Sequence, residues 1–142
     1  MTVPYVYGAG ALLAIDSNDR RMWAIHHLAL EQGRRLIVPA VVVGQAWRDG
    51  RRQVGLGRFL STCEIEPTLL EGAKAAGILC GKARTSDVVD ATVIVVALTY
   101  QAIVFTSDAG DMVKLAADSG TRPGLVIRTV WGSPDPMPRS LS

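Results

Sequence analysis

Two pairs of aspartates carry the chemistry of this sequence: Asp87 with Asp90 in RTSDVVDATVIVV, and Asp108 with Asp111 in TSDAGD. Each pair is spaced i, i+3, which on a helix puts both carboxylates on one face. Two like charges at about 4 Å, in an effective dielectric of about 20, repel by roughly 4 kcal/mol. Such pairs are best tolerated at a helix N-terminus, in water or on a cation. Four carboxylates brought from two separated segments to one edge of a fold would make the oxygen-rich set that Mg²⁺ or Mn²⁺ prefers. Each also has a structural reading, Asp87 as a helix cap and Asp108 with Asp111 as a cap and first-turn pair. Taken singly, capping is the simpler account of Asp87 and Asp108. Asp90 falls inside the helix among apolar neighbours, where an unpaired charge is costly, and is the strongest single ligand candidate.

The segment that presents Asp87 and Asp90 is rich in β-branched residues, from Thr92 to Val96, which by propensity favours a strand. Its apolar run from Val88 to Leu98 is longer than a usual strand and opens with Thr85, Ser86 and Asp87 as candidate caps. These features predict a helix that is apolar all round and buried at the centre of the fold. Before it come predicted strands at Val3–Tyr7, Leu36–Val38 and Cys63–Glu66, with helices at Ala9–Ile15, Asp19–Gln32, Ala40–Asp49, Leu56–Ser61 and Leu69–Ala83. In Asp19–Gln32 the apolar positions include Trp23, Leu28 and Leu30. After it come a strand at Ala102–Thr106, a helix at Ala109–Asp118 and a strand at Leu125–Thr129. The alternation calls for an α/β fold, a parallel sheet of about five strands flanked by helices on both faces. Residues 1–131 read as one domain and the Pro- and Ser-rich Gly132–Ser142 as a loosely held tail. In such a sheet the site lies outside the carboxyl ends of the strands, where chain order reverses; the fourth strand delivers Asp108 and Asp111 there, and the central helix supplies Asp87 and Asp90.

A chain of 142 residues suits a single domain. Cys63 and Cys80 show no CxxC or paired-histidine spacing and read as reduced, buried thiols. His26 and His27, adjacent on a helix and without a third ligand at metal spacing, read as surface or partly packed residues. No stretch fits a signal peptide or a membrane span, so a cytoplasmic protein is expected. A hydrophobic share of 49% is high for a small monomer and predicts an apolar face covered by another copy or another protein. Net charge is only +2, yet Arg48–Arg58 holds four arginines and one aspartate, which reads either as a solvated surface or as an RNA phosphate track.

Four motifs in order, YVYGAGALLAI, VPAVVVGQAWR, SDVVDATVIVVA and IVFTSDAGDM, make the sequence resemble a PIN domain, specifically the VapC toxins of bacterial VapBC toxin–antitoxin pairs. The similarity covers residue 3 to about residue 130. It implies an endoribonuclease whose acidic residues bind Mg²⁺ or Mn²⁺ and activate water, a VapB-like antitoxin partner, an RNA substrate, a homodimer and no membrane. Carried over position by position, it implies metal ligands at Asp90, Asp108 and Asp111, an additional acid at Asp87, and Gln45 in the place of a glutamate. Gln45 keeps an acceptor oxygen for a metal-bound water. The departure that matters is Gly8, which stands where the resemblance expects an aspartate ligand at the end of the first strand. Its loss predicts weak metal binding and low activity, and leaves as the alternative a silent PIN fold that only binds antitoxin or RNA. Two other doubly wound readings fail. Gly8-Ala9-Gly10 lacks the third glycine and the downstream acid of a dinucleotide fingerprint, and a receiver domain needs an acceptor aspartate where Glu66-Pro67 stands.

Overall fold

A computed structural model describes residues 2–107, 109–120 and 126–129. The elements run β1 (Tyr5–Tyr7), α1 (Ala9–Asp16), α2 (Arg20–Glu31), β2 (Leu36–Pro39), α3 (Ala40–Ala46), α4 (Val54–Ser61), β3 (Glu64–Glu66), α5 (Leu70–Ala83), α6 (Val88–Tyr100), β4 (Ile103–Thr106), α7 (Ala109–Asp118) and β5 (Ile127–Thr129). The five strands form one sheet in the order β3-β2-β1-β4-β5, and every pairing is parallel. Chain order therefore reverses between β1 and β4, which makes their carboxyl ends the place where a crevice can open. The helices pack in two groups, α1 to α4 and α5 to α7, with α1 and α6 both against β1 and β4. The sheet is thus covered on both faces, as the strand–helix alternation requires. The expected tail Gly132–Ser142, the start of the last strand at Leu125 and the candidate Asp108 lie outside the described residues.

The central segment is a helix, against its local propensity. Ala91, Thr92, Val93, Ile94, Val96 and Ala97 of α6 are buried, and α6 packs on α5, α7 and the three central strands. Packing on that scale outweighs the few tenths of a kcal/mol per residue that β-branched side chains cost a helix. Thr92 removes its one polar liability by donating its hydroxyl to the Val88 carbonyl at 2.7 Å.

Several boundaries differ from expectation. The first strand begins at Tyr5 rather than Val3, the fourth begins at Ile103, and α6 runs on to Tyr100. The helix expected over Ala40–Asp49 ends at Ala46 because side chains take over the backbone there: the Gln53 amide oxygen accepts from the Arg48 and Asp49 N–H groups at 2.7 and 2.9 Å. Arg48 donates to the carbonyls of Gly44 and Trp47, closing the helix end. On α2 the buried positions are Met22, His26 and Ala29, spaced i, i+4, i+7, whereas Leu28 and Leu30 are exposed and Trp23 is half-buried. Both cysteines are free thiols and half-buried rather than fully buried. Burial pushes the Cys63 thiol up to about 12, so it is a poor nucleophile. Among the described residues no helix is long and apolar enough to cross a membrane.

Candidate functional site

The edge where the order reverses is built from the ends of β1 and β4. Gly8, buried just after β1, donates its N–H to the Phe105 carbonyl at 2.8 Å and caps α1 with extended backbone and no side chain. A Cβ placed on Gly8 would lie 3.3 Å from the Phe105 carbonyl oxygen, 3.8 Å from Met112 Cε and 3.9 Å from Thr106 Cβ. A longer side chain at position 8 would therefore start out between the end of β4 and the Met112 side chain of α7. Two residues on, α1 presses against the loop after β4. A Cβ on Gly10 would come within 2.5 Å of Ser107, backbone nitrogen included, so only glycine lets the two segments approach this closely.

The second wall comes from the α5–α6 corner. Arg84 ends α5 in the left-handed region at φ 56°, and the Thr85 N–H closes the turn on the Cys80 carbonyl at 3.1 Å. The chain then reverses into α6. Thr85 Oγ1 accepts from the Asp87 N–H at 3.1 Å, and Asp87 Oδ1 accepts from the Asp90 N–H at 3.0 Å. Asp87 is thus a helix cap, the structural role anticipated for it, and its other oxygen is not used in that bond.

Asp87, Asp90 and Asp111 line one cavity of about 110 Å³, together with Thr85, Lys114, Leu115 and Ala83. Three of the four candidate aspartates thus share a space, across the α6 and α7 N-terminal turns. Lys114, one turn beyond Asp111 on α7, had no place in the sequence reading although i, i+3 spacing put it on the same face. Its ammonium donates to the Ala83 carbonyl at 2.7 Å and to Asp118 at 3.2 Å, which ties α7 to the end of α5 and sets a cation on the rim of an acidic cavity. A larger cavity of about 410 Å³, lined by residues including Trp23, His26, Arg58, Phe59 and Thr62, holds no carboxylate and lies along α2 and α4.

No protein-family model and no curated protein sequence matches the chain. Solved structures do match its backbone. A chain of the VapBC2 structure from Rickettsia felis, bound to a promoter DNA fragment, superposes with a TM-score of 0.67 at 16% identity over 90% of this chain and 99% of that one. A chain of the DNA-bound VapBC structure from Salmonella typhimurium gives 0.65 at 11% identity over 90% and 98%. A chain of FitAcB from Neisseria gonorrhoeae gives 0.61 at 14% identity over 90% and 99%. The chain has a PIN fold.

Of the expected four-carboxylate cradle, Asp108 lies outside the described residues, which leaves Asp87, Asp90 and Asp111. Among the described residues, no three of His, Cys, Asp and Glu come together as a set able to hold a metal ion. Asp87 turns one oxygen back onto the Asp90 N–H, and Gly8 contributes no carboxylate from the central strand. The donor chemistry suits Mg²⁺ or Mn²⁺, but the geometry of the described residues does not close around one ion. Gln45, expected in the site, is exposed on α3 and does not line the cavity.

The PIN fold also contains a polar network that sequence reasoning missed. His26 is only 1% exposed. Its Nδ1 meets the Tyr7 hydroxyl at 3.1 Å and its Nε2 meets Thr62 Oγ1 at 2.8 Å. Thr62 Oγ1 already donates to the Phe59 carbonyl at 2.7 Å, so it accepts from His26, which assigns the proton to Nε2 and leaves Nδ1 to accept from Tyr7. Burial, with a smaller contribution from His27, pushes His26 down to about 4 and keeps it neutral, while burial raises the Tyr7 phenol. The signal was available: His26 completes the buried i, i+4, i+7 stripe of α2.

Proposed function

We propose that the chain is the toxin component of a type II toxin–antitoxin system, a cytoplasmic endoribonuclease built for Mg²⁺ or Mn²⁺ and weakened by Gly8. The observation that carries this reading is the cavity shared by Asp87, Asp90 and Asp111 at the carboxyl edge of a PIN-fold sheet, beside the β1–β4 reversal. Asp90 and Asp111, with Asp108, are the metal ligands of this reading, and Asp87 holds the start of α6 while offering its second oxygen. A bound divalent ion would supply screening of the RNA phosphates and activation of water. The carboxylates alone repel RNA, so substrate approach and chemistry share one requirement. The antitoxin of this reading is a protein with a cationic side chain for the acidic cavity, an arginine pairing best through two parallel hydrogen bonds. Leu13 on α1 and Leu28 on α2, both about half exposed, offer apolar ground for that partner or for a second copy of the chain.

Gly8 and the open ligand set favour a second reading, a silent PIN fold that binds antitoxin or RNA without cutting. Comparing the chain with its Gly8→Asp variant decides between them. Cleavage of a mixed-sequence single-stranded RNA with Mn²⁺ is expected to rise at least about tenfold in Gly8→Asp, and to fall back when Asp90→Asn is added. A folded Gly8→Asp protein that binds the RNA and leaves it intact would remove the nuclease reading and keep the silent one.

A further inference from the structure

The acidic cavity gives RNA no purchase of its own, so an enzyme or binder of this design needs cationic surface elsewhere. Four of the chain's twelve arginines lie in one segment of eleven residues, Arg48 to Arg58, running from the end of α3 into α4, and the structure shows that this segment is built rather than slack. Gln53, only 7% exposed, ties it down with four hydrogen bonds: it accepts from Arg48 N and Asp49 N and donates to the Ala46 carbonyl at 2.8 Å and to Asp16 Oδ2 at 3.1 Å. Asp16 ends α1 and Ala46 ends α3, and both helices start at the carboxyl edge of the sheet. The segment therefore sits one helix length, on the order of 10 Å, from the edge that carries the acids.

On this base stands Trp47, with 37% of its surface exposed. A Cβ on Gly50 would lie 3.0 Å from its ring and one on Gly57 3.7 Å, so both glycines pack against the indole. Arg51 follows Gly50 and Arg58 follows Gly57, so both arginines leave the backbone within one residue of the ring. Arg48, Arg51, Arg52 and Arg58 are all exposed; among the described residues their one ion pair, Arg51 with Asp49, is long at 3.7 Å, with the Arg51 side chain 94% exposed.

We infer that residues 47–58 form an anchor for single-stranded RNA, in which Trp47 stacks a base and Arg51, Arg52 and Arg58 hold the flanking phosphates. An exposed aromatic ring among exposed guanidinium groups is the combination that holds a single strand irrespective of sequence. An acidic peptide would use the charges and leave the ring without a matching partner. The inference deepens the proposed function, since it says where binding energy for the substrate comes from when the cavity itself repels phosphate.

The test measures affinity for a fluorescein-labelled mixed-sequence single-stranded RNA at several salt concentrations. Changing Arg51→Gln and Arg52→Gln together is expected to weaken binding about tenfold and to lower the slope of log affinity against log salt by about 1.4, roughly 0.7 per phosphate contact. Lys74→Gln with Lys82→Gln on α5, the same change in charge, is expected to leave that slope where it was. Trp47→Leu, its folding checked by circular dichroism, is expected to lose about tenfold with no change in slope, since a stacked base releases no counterion. Equal losses from the arginine and lysine pairs would overturn the inference, as would full RNA affinity in the arginine pair. Either result leaves the nuclease reading to its own cleavage assay. Failure of both the chain and its Gly8→Asp variant to bind RNA would overturn the two together. Polyglutamate binding as tightly as RNA, and lost in the same variants, would make the segment a protein-docking surface and overturn the RNA anchor.

Discussion

Two glycines at the same corner of the sheet do different work. Gly8 has room for a side chain within a few tenths of an ångström, whereas Gly10 has none, because Ser107 occupies the position its Cβ would take. Gly10→Ala should therefore cost about 1–3 kcal/mol even though alanine is the better helix former, and urea unfolding would read the loss directly. Gly8→Ala should cost less, since only the Phe105 carbonyl need yield. The sequence marked Gly8 as the position to watch, through its resemblance to a family that keeps a carboxylate there. It said nothing of why Gly10 must be glycine, since the cause is a loop nearly a hundred residues away in the chain. Gln53 was illegible for the same reason: its partners, Asp16 and the backbone of residues 46–49, are brought to it only by the fold. Gln45 shows the converse, a residue assigned by motif position that the fold leaves exposed and away from the cavity.

At the scale of the element, α6 decides the site. Length, caps and an unbroken apolar surface gave the correct helix where local propensity argued for a strand, because a buried helix is selected by what it packs against. What the pattern left open is how one carboxylate divides its two oxygens. Asp87 Oδ1 is committed to the Asp90 N–H, so Asp87→Ala should cost about 1 kcal/mol of stability, while Asp87→Asn, which keeps an acceptor, should stay within a few tenths. Thermal denaturation of the two variants separates capping from ligation when it is repeated with Mn²⁺ in the Gly8→Asp background. A carboxylate that serves the ion as well as the helix loses the Mn²⁺-induced rise in Tm in Asp87→Asn even though the helix keeps its cap. An unchanged rise would leave Asp87 a cap alone and reduce the proposed ligand set to Asp90, Asp108 and Asp111.

For the molecule as a whole, the central strand and two helices are joined by the neutral imidazole of His26: Tyr7 at the end of β1, α2 itself, and Thr62 at the end of α4. Protonating His26 would give Nδ1 a proton facing the Tyr7 hydroxyl and leave a charge among Phe59, Trp23 and Tyr7, with no carboxylate in the cavity beside it. The imidazole titrates at about 4 in the folded chain against an ordinary 6.5. Between those values the unfolded chain binds the extra proton, so stability rises with pH through this window and is fully present above about 6.5. The difference of about 2.5 units is worth up to roughly 3 kcal/mol, lost on going down to pH 4. The Glu64 carboxyl, held low by its hydrogen bonds from Arg35, adds to the loss only at the acid end. His26→Gln, which cannot titrate, should be less stable at pH 7.5 and should flatten the slope between pH 6.5 and 4. Urea midpoints at half-unit steps of pH test this: a slope as steep in His26→Gln as in the unaltered chain would mean that the acid sensitivity of the fold resides in its carboxylates and not in the buried link between β1, α2 and α4.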